Sequence, residues 1–223
     1  MFAVGHISLA YLLGKGSSKF LKVSPNIPAL ILMSILPDID IAVGTLTGTS
    51  IHHGPTHSVI FALLFFTPFF ILYNKRAIPY FIAYVSHFLL ADFFIGGQLQ
   101  LLWPLSSNTF GFHQLGFTYI GLSDPLNLVA ELSMFTAALI VMAKTQDFKI
   151  FFKNNKTNLV LLIPMATLLM SIFTSYPFTM PLFRVLPLIS MAHLFFLVLF
   201  TIPILIIIYT TLQLQLKRSF KNE

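Results

Sequence analysis

The sequence predicts an all-α, polytopic integral membrane protein, and its composition and apolar patterning lead to that fold class. Hydrophobic residues make up 57% of the 223 residues and charged residues 9%, whereas a soluble domain carries about 25% charged residues. The apolar residues are grouped in stretches close to the roughly 20 residues that a helix needs to cross a bilayer. We therefore predict a single membrane domain over residues 1–223, with a candidate metal site in 1–125 and additional helices in 126–223.

Hydropathy along the chain predicts about six or seven membrane segments. The first apolar stretch is short, and the second is interrupted by Pro37, Asp38 and Asp40. Such segments are tolerated where irregular backbone is buried in protein or lines a cavity. In chain order the stretches are 2–13, 27–46, 57–73, 78–95, 126–143, 159–176 and 186–214.

The basic residues predict the orientation of these segments. If each stretch crosses the membrane once, all the lysines and arginines except Arg184 fall on one side. By the positive-inside rule that side is the cytoplasm, which places the C-terminus inside the cell and residues 44–56 and 96–125 outside. Topology therefore explains the formal net charge of +6, and we infer no nucleic-acid partner.

Five of the seven histidines and three of the seven acids lie in the first half of this otherwise apolar chain. A charged side chain at bilayer depth costs about 2.5–3.5 kcal/mol, so a group of them indicates a functional site. Asp and neutral His are also suitable ligands for a divalent metal. The chain has no cysteine, which excludes disulfides, Cys-ligated zinc and thiol catalysis.

Asp38 and Asp40 stand two residues apart, next to Pro37. In a helix they would point about 200° apart, but Pro37 favours a local break, after which both carboxylates could face one cation. The alternative is a new helix capped by Asp38, with Asp40 solvated.

Residues 52–58 contain three histidines around a Gly-Pro turn, and they form the densest group of candidate ligands. Thr56 is a candidate N-cap for a helix that starts at His57. The turn could bring His52 or His53 back toward His57, and the sequence leaves the choice between the two open. A solvated histidine loop is the alternative.

His87 and Asp92 lie five residues apart in an apolar stretch. That spacing is about 140° around an ideal α-helix, so the two side chains need not share a face. One could be a ligand and the other its hydrogen-bonded partner. His6 is a weaker candidate, and we interpret His193 as structural.

These motifs together resemble the family of LexA-regulated, membrane-bound, metal-dependent hydrolases. That resemblance implies a polytopic membrane protein with a metal-dependent hydrolase site, and the family's distant similarity to zinc-dependent phospholipases C suggests phosphoester chemistry. His53 stands where the family has Arg, and the gap from His87 to Asp92 is one residue longer than usual. Either a helical bulge accommodates the extra residue, or Asp92 is not a ligand. The counterparts of the family motifs are His6, 36–40, 52–58, 86–92 and 103–106.

We therefore predict a metal-dependent hydrolase, with zinc as the expected metal, which acts on an amphiphilic or lipid-linked phosphoester at the outer membrane interface. Asp40 or Asp92 would be the general base if it does not bind the metal. The alternatives are a divalent-metal or proton transporter, disfavoured by the apolar inward halves of the segments, and a membrane protein with a structural metal. The predicted ligands are His6, Asp38, Asp40, His52, His57, His87 and Asp92.

Overall fold

The described residues of the computed structural model, 1–49, 52–173 and 181–219, form an all-helical structure. Short 3₁₀ turns and one π turn connect or extend the helices. Of the predicted stretch 159–176, the last three residues lie outside the described part of the chain. The α-helices are α1 (Ala3–Leu21), α2 (Ile27–Ile35), α3 (Ile39–Thr47), α4 (Val59–Tyr73), α5 (Ile78–Ser86), α6 (Pro125–Lys144), α7 (Leu162–Phe173), α8 (Leu182–Val185) and α9 (Pro187–Ser219).

Helix α1 lies at the centre and packs against α2, α5 and α6. It continues to Leu21, so the prediction that the first segment ends at residue 13 is wrong. The reason lies in packing at Gly14, where an added Cβ would come within 2.7 Å of the Leu30 side chain and 3.3 Å of the Pro79 carbonyl. Gly14 allows α1 to approach α2 and α5 closely, and the helix continues through this position.

The predicted break in the second segment is present. Helix α2 begins after Asn26, whose side chain accepts a hydrogen bond from the Ala29 N–H, and it ends at Ile35. A 3₁₀ turn over Leu36–Asp38 follows, and α3 starts at Ile39. This break places Asp38 and Asp40 at the junction of two short helices.

Helix α4 starts at Val59 and is capped by Ser58, whose hydroxyl accepts hydrogen bonds from the N–H groups of Ile60 and Phe61. The prediction that Thr56 caps a helix starting at His57 is therefore wrong. Residues Pro55–His57 form a separate 3₁₀ turn, which frees the Thr56 hydroxyl for a contact within the candidate site.

Within the described residues, four helical segments are long and apolar enough to cross a membrane. Helix α1 has 19 residues, but its lysines, serines and glycines make it less apolar, and the other segments are shorter or broken. The prediction of several membrane segments is confirmed, whereas the count of six or seven is not. The four segments are Val59–Arg76, Pro125–Lys144, Lys156–Phe173 and Pro187–Lys217.

Candidate metal centre

Four side chains from separate parts of the chain converge on one point. His87 Nε2 lies 3.2 Å from Asp38 Oδ1 and 3.1 Å from Asp92 Oδ2. His57 Nε2 lies 3.7 Å from each of the same two oxygen atoms. We call these four residues the central tetrad.

The four nitrogen–oxygen separations in the central tetrad are compatible with a tetrahedral metal site. Ligand atoms about 2.0–2.1 Å from a zinc ion lie about 3.3 Å apart at the corners of a tetrahedron. The observed separations of 3.1–3.7 Å lie around that value. The Nε2 atoms of His57 and His87 are buried and make no hydrogen bond. Since buried polar atoms normally have a partner, two such nitrogens beside two carboxylates suit a cation between them.

The other ring nitrogen of each tetrad histidine has a partner that fixes the ring. His57 Nδ1 lies 3.1 Å from Asp40 Oδ2, and His87 Nδ1 lies 2.6 Å from the Ser34 carbonyl oxygen. Both partners accept, so Nδ1 carries the proton and Nε2 presents a lone pair. Histidines that bind metals in proteins show this pattern.

A π turn over His87–Asp92 brings these two tetrad residues to the same face. Its i→i+5 bonding is seen where the Phe93 N–H donates to the Phe88 carbonyl at 2.9 Å. A residue five positions along a π turn returns close to the starting face, unlike in an α-helix. The helical bulge considered from the sequence is therefore present, and it accommodates the extra residue.

His6 borders the tetrad on the side of Asp92. Its Nε2 lies 3.3 Å from Asp92 Oδ1, and its ring stacks on His87 with centroids 3.8 Å apart. The Met1 amine lies 3.1 Å from the same Asp92 oxygen. Near the start of α1, the buried Glu131 accepts a hydrogen bond from the Phe2 N–H at 2.8 Å. Glu131 therefore helps to seat the segment that carries His6.

Asp40 connects the tetrad to the loop histidines. Its Oδ1 lies 3.0 Å from His52 Nδ1, and its Oδ2 accepts a hydrogen bond from the Thr56 hydroxyl at 2.9 Å. With His57 beside the same Oδ2, both oxygens of this buried carboxylate already have partners. Thr56 is also held from the other side, because the Tyr84 hydroxyl donates to its carbonyl at 2.7 Å.

His52 and His53 form the rim of the site, with their ring centroids 4.0 Å apart. His53 has a positive φ of 65°, and its carbonyl accepts a hydrogen bond from the Gln100 N–H at 3.0 Å. Burial and then the neighbouring His52 lower the pKa of His53 to about 3, so its ring is neutral at physiological pH. Burial opposes protonation of His52 as well, but the Asp40 hydrogen bond and nearby carboxylates raise its pKa overall.

All seven predicted ligands thus lie in one connected cluster. Three further contributors were missed by sequence reasoning: the Thr56 hydroxyl, the Tyr84 hydroxyl and the Ser34 carbonyl. Hydroxyl groups and main-chain carbonyls occur throughout the chain, so only their proximity distinguishes them. His193 lies elsewhere, with its Nδ1 2.8 Å from the Ile189 carbonyl oxygen, and Asp124 caps α6.

The described His and Asp residues form several groups that could hold a metal ion. The ligand atoms within each group lie within 4.8 Å of one another. Neutral imidazole and carboxylate donors suit zinc and other divalent first-row metals. The groups are His6 with His87 and Asp92; Asp38 with His57 and His87; Asp38 with Asp40 and His52; and His52 with His53 and His57.

Comparison with known families identifies the chain as a member of the YdjM inner membrane protein family, whose model matches residues 1–214. No curated protein and no solved structure matches the chain. Family membership and the apolar helices together confirm a multi-pass membrane protein. The family description states neither a metal nor an activity, so the hydrolase part of the resemblance stays a prediction.

Proposed function

We propose that this member of the YdjM family is a membrane-embedded, zinc-dependent hydrolase of phosphoesters. The observation that carries the proposal is the central tetrad. Two buried imidazole nitrogens without hydrogen bonds face two carboxylate oxygens at separations of 3.1–3.7 Å. Asp38, His57, His87 and Asp92 would hold the metal, and His6 would stand next to Asp92.

A bound zinc ion would act as a Lewis acid toward a phosphoryl oxygen and would lower the pKa of its water. The protein's own residues would orient and exchange protons around that centre. Asp40 would keep His57 in the tautomer that exposes Nε2, acting through the histidine and not on the substrate. His52 would transfer protons, since its Nδ1 lies beside Asp40 and its side chain is 30% exposed. The Asp40–His52 pair therefore resembles the carboxylate–imidazole pairs used in acid–base catalysis.

The surroundings of the site support an orientation and a class of substrate for this proposal. The tetrad lies away from the lysine-rich C-terminal end of α1 and from Lys75 and Arg76, which follow α4. By the positive-inside rule, the tetrad would then lie toward the outer leaflet. A phosphoester with an apolar tail suits a hydrolytic centre surrounded by membrane helices. Its headgroup would contact the polar site, and its chains would contact the apolar helix surfaces.

The proposal is tested by metal analysis and hydrolysis on the same purified protein. We expect about one zinc ion per chain in wild type and in His113→Ala, a matched control in an exposed loop, and loss of the ion in His57→Ala. A chelator should abolish hydrolysis of a phospholipid in wild type, and zinc should restore it. Active protein without stoichiometric metal would overturn the hydrolase mechanism. A metal-loaded protein that transports cations into vesicles and cleaves no phosphoester would favour the transporter.

A further inference from the structure

Two partly exposed residues of the site, Asp38 and His52, lie next to α3. The side chains of His57 and His87 are 0% exposed, whereas those of Asp38 and His52 are 17% and 30% exposed. Asp38 immediately precedes α3, and His52 contacts Asp40 in the first turn of that helix. Access to the tetrad is therefore beside α3.

The outward surface of α3 at this opening is apolar. Ile39, Val43 and Leu46 are 49%, 42% and 87% exposed, and their spacing of i, i+4 and i+7 places them on one helix face. Asp40 and Gly44 are buried on the inward side. We call the three exposed residues the α3 stripe.

The depth of the opening indicates what covers the α3 stripe. Asp38 lies 12 positions after Asn26, the N-cap of α2, which corresponds to about 18 Å along a helix. A bilayer has a hydrocarbon core about 30 Å thick. With Asn26 at the cytoplasmic boundary, which the lysine-rich end of α1 favours, the opening would lie inside the hydrocarbon layer. The next candidate span also exposes apolar side chains, among them Leu63 and Leu64.

We propose that the candidate metal centre receives its substrate sideways from the bilayer, as a lipid with a phosphoester headgroup. The acyl chains would lie against the α3 stripe, and the headgroup would pass His52 and Thr56 to reach Asp38. These polar side chains come from the 52–57 loop and provide hydrogen-bonding partners down to the level of the tetrad. The proposal rests on the proposed hydrolase function and adds the substrate's route into the site.

The lipid contact of α3 can be measured by tryptophan fluorescence, because Trp103 is the only tryptophan. In a Trp103→Phe background, Val43→Trp and Leu46→Trp would be placed in vesicles, with Thr49→Trp beyond the end of α3 as the control. We expect lipids with brominated acyl chains to quench the first two, and aqueous iodide to quench the control. Quenching of positions 43 and 46 by iodide and not by brominated lipid would overturn the proposal.

The route can be tested with two phosphoester probes, long-chain phosphatidylglycerol in vesicles and water-soluble p-nitrophenyl phosphorylcholine. Replacing the apolar contact with Val43→Ser/Leu46→Ser should lower turnover of the lipid by about tenfold, with little change for the soluble probe and unchanged zinc content. Leu205→Ser, at an exposed leucine of α9, should change neither activity. Equal losses on both probes, or no loss on either, would overturn the sideways route while leaving the hydrolase intact. If wild type cleaves neither probe, the hydrolase fails and the route fails with it.

Discussion

Asp40→Asn provides the sharpest perturbation of the candidate metal centre. Asp40 has an almost fully buried side chain, so water cannot replace its contacts with His52, Thr56 and His57. The new amide would present a donor where a carboxylate oxygen accepts, and at least one histidine would lose its orienting partner. Loss of such a partner lowers metal affinity by about 10- to 100-fold, which corresponds to about 1.4–2.7 kcal/mol.

Zinc affinity of the purified protein would be measured by competition with a chromophoric chelator. Asp124→Asn is the matched control, because Asp124 caps α6 outside the site and Asn is an equally good cap. We expect weaker binding for Asp40→Asn and unchanged binding for the control, with similar thermal stability for both in detergent. Affinity within about twofold of wild type would show that Asp40 does not position a ligand, because that change is far below the usual effect.

Further tests concern the π turn, the packing of α1 and the orientation of the chain. Deleting Leu90 should leave zinc content unchanged. The deletion would place His87 and Asp92 four residues apart, a spacing that keeps both side chains on one face of an α-helix. Loss of zinc would show that the π turn is itself required. Gly14→Val should destabilise the protein by about 1–3 kcal/mol through overpacking. Gly16→Ala is the control and should not destabilise it, because no atom lies within 4 Å of the added Cβ. Equal melting temperatures for the two variants would refute the packing argument. Single cysteines introduced into this cysteine-free chain should report its orientation in intact cells through labelling with an impermeant thiol reagent. Labelling at the lysine positions would show that the predicted orientation is reversed. The shielded positions are Lys19, Lys75 and Lys153, and the reactive ones are Thr49 and Asn108.

Local sequence predicted much of the fold because its signals act over a few residues. The end of α4 at Tyr73 and the break near Pro37 agree with the sequence prediction, since hydropathy and proline act locally, whereas α4 begins two residues later than predicted. The end of α1 at Leu21 was not predicted from the sequence. Gly14 lies inside this helix, where it packs closely against Leu30 and Pro79 of other helices. The sequence around a glycine does not distinguish one that allows close helix packing from one that ends a helix.

The candidate site also has features that the sequence predicts and features that only the tertiary structure decides. Composition and spacing predicted the candidate ligand residues, since ionisable residues in apolar stretches are energetically costly and indicate a site. Only the tertiary structure decided which atoms meet. The π turn brought Asp92 to the face of His87, and contacts across separate helices directed Asp40 toward His57 Nδ1, leaving Nε2 for the tetrad. These outcomes depend on distances between segments far apart in sequence, and a linear pattern of residue types carries no such distances.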